Sequence, residues 1–142
     1  MKPWHKNLGR ALRKEPKFYL WDWAGIRSPG ARFENLVASA LLKAAHAWTD
    51  MGSANVRLFF VRDKEKREVD FLLVRDDSPW MLVEAKTSPS PGLSPALLHY
   101  HKVLGTQHAF QVVRDLPFVD ADCFRETDPV KVPALTLLSQ LV

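Results

Sequence analysis

The chain has a single cysteine, no long apolar run and no nucleotide-binding loop, and each shortage removes a class of protein. With Cys123 alone there can be no internal disulfide and no cysteine-built zinc site, so the composition predicts a protein of a reducing, cytoplasmic compartment. No segment approaches the roughly 18 consecutive apolar residues of a membrane-spanning helix. The basic start is not followed by the apolar stretch of a secretory signal. No Gly-x-x-x-x-Gly-Lys-Ser/Thr occurs, so these 142 residues carry no ATP site of that kind. Internal repeats and low-complexity tracts are missing as well.

What remains is an ordinary globular composition, 46% hydrophobic and 25% charged, in a length that suits one core. A net charge of +4 favours polyanionic partners modestly. Residues 1–16 read as a basic N-terminal helix or linker. Lys2, Lys6, Arg10, Arg13 and Lys14, with Lys17 just beyond, form a stripe that suits either a phosphate-backbone contact or a solvated face. Pro16 ends that helix, because the residue before a proline is pushed out of the α region.

Residues 17–142 read as a single α/β domain. The aromatic run Phe18-Tyr19-Leu20-Trp21-Asp22-Trp23 is expected in the core or under a covered edge, a base-stacking platform being the other option. Ser28 caps a helix with Pro29 at its first position, and Phe33, Leu36, Val37, Ala40, Leu41, Ala44 and Trp48 mark its buried face. A strand over Asn55 to Val61 follows, joined by the charged turn Arg62 to Arg67 to a hairpin. A second helix runs from Ser94 to about Leu104, then a strand from Ala109 to Val113 that pairs in parallel after its helical crossover. His99 and His101 point apart on that helix and cannot share an ion. Lys102 and Gln107 could touch a nucleic-acid backbone. A short last helix opened by Pro133 would pack Leu135, Leu138 and Leu141. The order predicts a mixed central sheet, an antiparallel meander plus a parallel strand, flanked by helices.

The hairpin carries the chemistry. Two apolar runs, Val69 to Val74 and Trp80 to Val83, flank the turn-forming Asp76-Asp77-Ser78-Pro79. A three-residue loop over Asp76 to Ser78 would set Asp70 opposite Glu84 and Glu68 opposite Lys86 on a shared face. Opposed carboxylates repel, and a cation resolves the conflict. An oxygen-only site of this kind suits Mg²⁺, with Mn²⁺ as a substitute, and Lys86 adds a charge that could orient water or steady a developing anion. The plainer reading is a solvent-facing strand whose Glu84 and Lys86 pair. Glu34 lies one step off the buried stripe of its helix, where it could pair with Arg32 or Lys43 in solvent.

Asp70, then Glu84-Ala85-Lys86, preceded by Glu34 in the helical run Phe33-Glu34-Asn35-Leu36-Val37, resembles the PD-(D/E)XK superfamily of restriction-endonuclease-like nucleases. More narrowly, Pro16-Lys17-Phe18-Tyr19-Leu20-Trp21-Asp22, Arg67-Glu68-Val69-Asp70-Phe71 and Val83-Glu84-Ala85-Lys86 are similar to an uncharacterised domain. That domain is usually found C-terminal to an AAA-type ATP-binding module in prokaryotic proteins. The resemblance spans roughly residues 16–113 and departs from the superfamily pattern at Val69, where the pattern has a proline that many members also lack. It implies a restriction-endonuclease-like fold and phosphodiester hydrolysis on DNA dependent on Mg²⁺ or Mn²⁺. Asp70, Glu84 and Glu34 would be the metal-holding acids, and Lys86 would complete the catalytic set. An ATPase module would be a partner. The alternative is a non-catalytic module that keeps the fold and binds nucleic acid or a partner protein.

Overall fold

The computed structural model describes residues 1–5 and 15–141. Helix α1 (Pro29–Asp50) starts where expected, with the Ser28 hydroxyl accepting from the Ala31 amide and Pro29 in its first turn. After it come β2 (Val56–Arg62), β3 (Glu68–Arg75), β4 (Ser78–Lys86), α2 (Pro95–Leu104) and β5 (His108–Val113). Ser94 caps α2, and Gly105 closes it in the left-handed region that a residue without Cβ enters at no steric cost.

Strands β2, β3 and β4 form the antiparallel meander, and β5 joins β4 in parallel after α2. Two edge strands were not expected. Lys2–Pro3, here β1, pairs in parallel with Phe59 and Phe60 of β2, and Val130–Pro133, here β6, pairs in parallel with β5. The N-terminal helix is thus absent at residues 1–5 and 15–16, and the remainder of its span, 6–14, lies outside the described residues. Among the described residues the result is one six-stranded mixed sheet in sequential order.

The two faces of the sheet bury separate clusters. One packs Phe33, Val37 and Leu41 of α1 against Phe71, Leu73, Met81, Val83, Phe110 and Val112. The other packs Leu97 and Tyr100 of α2 against Val69, Leu72, Val74, Leu82 and Ala109. Strands β3, β4 and β5 are covered on both sides, which is why they read as near-continuous apolar runs. The short last helix, α3 (Ala134–Leu138), buries Ala134, Thr136 and Leu137, with Leu141 beyond it, while Leu135 faces solvent. Leu138 and Leu141 thus pack as expected, and Leu135 does not. Among the described residues no helix is long and apolar enough to cross a membrane.

Candidate functional site

The β3–β4 hairpin reaches its register by a route the sequence did not show. Its turn is the two-residue Asp76-Asp77, both at positive φ, the conformation that matches the twist of paired strands. One residue is then recovered at a bulge where Leu73 pairs with Met81 but Val74 with Pro79. The last pairs, Leu72 with Leu82 and Phe71 with Val83, are those that a three-residue loop would have produced. One further step would set Asp70 beside Glu84.

A second bulge changes the expected shared face. Phe59 pairs with Leu72 and Val61 with Val69, so Phe60 faces both Asp70 and Phe71. An extra residue in a strand bends it and re-aims a side chain. Asp70 consequently leans toward the α1 side, where Lys17 Nζ lies 3.6 Å from its Oδ1. Glu84 alternates with Val83 and Ala85 of the α1-side cluster and so lies on the α2 side of β4. The two acids come near each other where β3 and β4 part: Asp70 Oδ2 accepts from the Ala85 amide at 3.0 Å.

Lys17 stands at the centre of the acids. Its ammonium hydrogen-bonds Glu68 and lies 3.5 Å from Glu34 Oε1 as well as beside Asp70. Glu34 also accepts from the Tyr19 hydroxyl at 2.7 Å, so it pairs with neither Arg32 nor Lys43 of its own helix. Arg32 instead donates to the Ile26 carbonyl. The arm bearing Lys17 and Tyr19 is strapped to α1 by the buried Asn35, whose carboxamide accepts from the Leu20 amide and donates to the Leu20 carbonyl. Tyr19 also packs on Phe71, ring centroids 5.7 Å apart.

The arm corrects the expectation of a buried aromatic run. Lys17 and Tyr19 turn inward, whereas Phe18 and Trp21 are 85% and 82% exposed. On the other side of the site, Lys86 Nζ sits 2.6 Å from Glu84 Oε1. Glu84 is only 6% exposed, yet its Oε2 is buried with no hydrogen-bond partner. Its neighbour in the parallel ladder is Gln111, whose Oε1 accepts from the Ser94 amide at the start of α2 and whose Nε2 is likewise unpaired.

The electrostatics follow from burial. Desolvation and the Glu34 charge push the Asp70 carboxyl up to about 6, and the Glu84 charge adds to this. The Ala85 amide and Lys17 offset part of the rise. Burial opposes the Lys17 charge, but the hydrogen bond to Glu68 and the charges of Asp70 and Glu34 outweigh it and hold the ammonium above its ordinary value. Burial, then the hydrogen bond to Glu34, raises the Tyr19 hydroxyl far enough to keep it a proton donor.

The raised Asp70 value fixes the sign of a stability effect. Between the ordinary carboxyl value of 3.8 and about 6, the unfolded chain sheds this proton and the folded chain keeps it. The favourable contribution is complete below the lower value and is lost as pH rises through the upper one. Asp70→Asn should therefore match wild type in urea stability near pH 3.5 and exceed it by about 3 kcal/mol at pH 7.5. Equal stability at both pH values would contradict this account of the carboxyl.

Of the residues the sequence singled out, Glu34 and Asp70 meet around Lys17, while Glu84 and Lys86 form an adjacent pair. Among the described residues no three His, Cys, Asp or Glu side chains converge closely enough to hold one ion, so the expected Asp70–Glu84–Glu34 triad is not drawn together. The donor set nonetheless suits a divalent cation. It is oxygen-only, Glu34 and Asp70 already gather around a positive charge, and one Glu84 oxygen is left without a partner. Lys17, Tyr19, Glu68 and Gln111 were not anticipated as site residues. The alternation of Lys17 and Tyr19 against Phe18 is the one local signal that could have identified two of them.

Fold and site together define a mixed α/β domain with a carboxylate and lysine cluster where two strands of its sheet separate. The chain belongs to the family described as a domain of unknown function, DUF4143, whose model matches residues 29–115, more than half of the chain. The match includes Glu34, Asp70, Glu84 and Lys86 and agrees with the uncharacterised domain that the motifs resemble. No curated protein and no solved structure matches the chain.

Proposed function

We propose that this domain is a restriction-endonuclease-like member of the PD-(D/E)XK superfamily that hydrolyses phosphodiester bonds of DNA with Mg²⁺ or Mn²⁺, in the cytoplasm and alongside an ATPase module. The observation that carries the reading is Glu84. A buried carboxylate with one oxygen on Lys86 and the other on nothing is costly unless a ligand completes it. Asp70, one backbone amide away and with its carboxyl pushed up to about 6, is a second acid whose charge a cation would favour.

Asp70 and Glu84 would hold the ion, with Glu34 at the margin. When bound, a divalent cation supplies a Lewis acid for the phosphodiester and eases deprotonation of water at neutral pH. Lys86 is half exposed, so its ammonium can stay on Glu84 or turn to a phosphate oxygen and balance the charge that builds there. Tyr19 donates to Glu34 Oε1 and steadies that acid beside Lys17.

Plasmid cleavage in Mn²⁺ tests this, with Lys86→Met beside wild type. Loss of a preorganised charge should lower cleavage about 100-fold while Mn²⁺ uptake persists. The second reading, a non-catalytic module, draws on Lys17, which neutralises the acids without an ion. It would be favoured if wild type bound DNA in a salt-sensitive way yet cut no supercoiled, linear or branched substrate.

A further inference from the structure

Three carboxylates surround one ammonium at the site, and that ammonium stands at the end of a flexible stem. The Lys17 backbone is anchored: its amide donates to the Met1 carbonyl at 3.0 Å, its carbonyl accepts from the Met1 ammonium at 2.7 Å, and Asn35 clamps Leu20 three residues on. Only the four-carbon stem is free to turn, resting with Nζ 5.4 Å from the centre of the Phe60 ring. Beside it opens a groove of about 410 Å³ lined by Glu15, Pro16, Lys17, Phe60, Arg62 and Glu68. Lys17 therefore has somewhere to go without unfolding the arm, and Glu68 lies along the way.

A divalent ion held by Asp70 and Glu84, with Glu34 at its margin, would sit close to where this ammonium now lies beside Asp70. At such separations two positive charges repel in a partly buried setting, so the presence of one weakens the binding of the other. We infer that Lys17 is a displaceable counter-cation: it balances Glu34 and Asp70 while no metal is present and withdraws toward Glu68 and the adjoining groove when a divalent ion loads. The inference rests on the cation site proposed above. It adds that metal affinity is set partly by a lysine outside the acid and lysine motif. It also gives Glu68, which already bonds Lys17 and pairs with Arg62, the role of retaining the ammonium once it leaves Glu34 and Asp70.

The test is calorimetric titration of the full chain with Mn²⁺, wild type beside Lys17→Met and Lys17→Arg. Methionine keeps the apolar stem on Phe60 and removes the charge. Removing the competing cation should tighten Mn²⁺ uptake about tenfold in Lys17→Met, with Lys17→Arg staying near wild type. Because three carboxylates left without a counter-charge could cost Lys17→Met its fold, Mg²⁺ titration of ¹⁵N-lysine wild type provides a measurement with no variant. The Lys17 ammonium resonance should move with the same saturation as metal uptake. Unchanged or weaker uptake by Lys17→Met, or a Lys17 resonance indifferent to saturating Mg²⁺, would overturn the counter-cation role and leave the metal site standing. Uptake by neither wild type nor variant would remove the metal site and this inference together.

Discussion

Glu84→Gln is expected to abolish Mn²⁺-dependent DNA cleavage, lowering it by more than about 100-fold, because even partners one shell outside a metal ligand are typically worth 10–100-fold. The substitution is close to isosteric, so packing against the neighbours of β4 is preserved. What changes is charge: a carboxylate with one oxygen on Lys86 and one unpaired becomes a neutral amide. The amide nitrogen would face the ladder position of Gln111, itself holding an unpaired amide nitrogen. The fold should survive, since Glu84 is bonded only at its Lys86 end and the flanking Leu82, Val83 and Ala85 are untouched. Cleavage assays with purified wild type and variant, checked by circular dichroism, decide this. A variant that cuts at more than a tenth of the wild-type rate would remove Glu84 from the chemistry.

Phe71→Ala should cost about 3–5 kcal/mol of folding stability, the range for deleting a buried aromatic ring. Phe71 is fully buried, lies in the α1-side cluster and packs against Tyr19. It also occupies the bulge that re-aims Asp70. The cavity would thus loosen the arm and the site together, and the Leu20 amide, bonded to Asn35, should exchange faster with solvent. Urea unfolding measures the first effect and hydrogen exchange the second. A loss under 1 kcal/mol would mean that neighbouring side chains collapse into the space.

Much of this architecture is legible in the residues. Ser28-Pro29 and Ser94-Pro95 announce both long helices, and apolar runs broken by turn residues announce the meander. The central register was reached through compensating local differences: Asp76-Asp77 shortens the turn, and the bulge near Pro79 returns the residue. Strands β1 and β6 were missed because two and four residues, each pair of ends including a proline, carry no periodicity to read. At the site, the acids and Lys86 stand out because charge is rare within apolar runs. The bulge at Asp70 and Phe71 does not, since it depends on how β3 meets β2. Lys17 was hidden for a similar reason. Its partners Glu34, Glu68 and Asp70 lie far along the chain, and next to Arg13 and Lys14 it looks like one more solvated base. Exposed Phe18 and Trp21 show the limit of reading aromatics as core: Tyr19 between them is held by a hydrogen bond and a ring contact, which they lack.

Whether Asp70 and Glu84 serve one ion is best measured by equilibrium Mn²⁺ uptake in wild type, Asp70→Asn, Glu84→Gln and the double variant. A shared ion predicts one saturable site in wild type, lost on either single change and not weakened further in the double. A site of undiminished affinity in either single variant, or losses that simply add, would mean that the acids on the two sides of the sheet act apart.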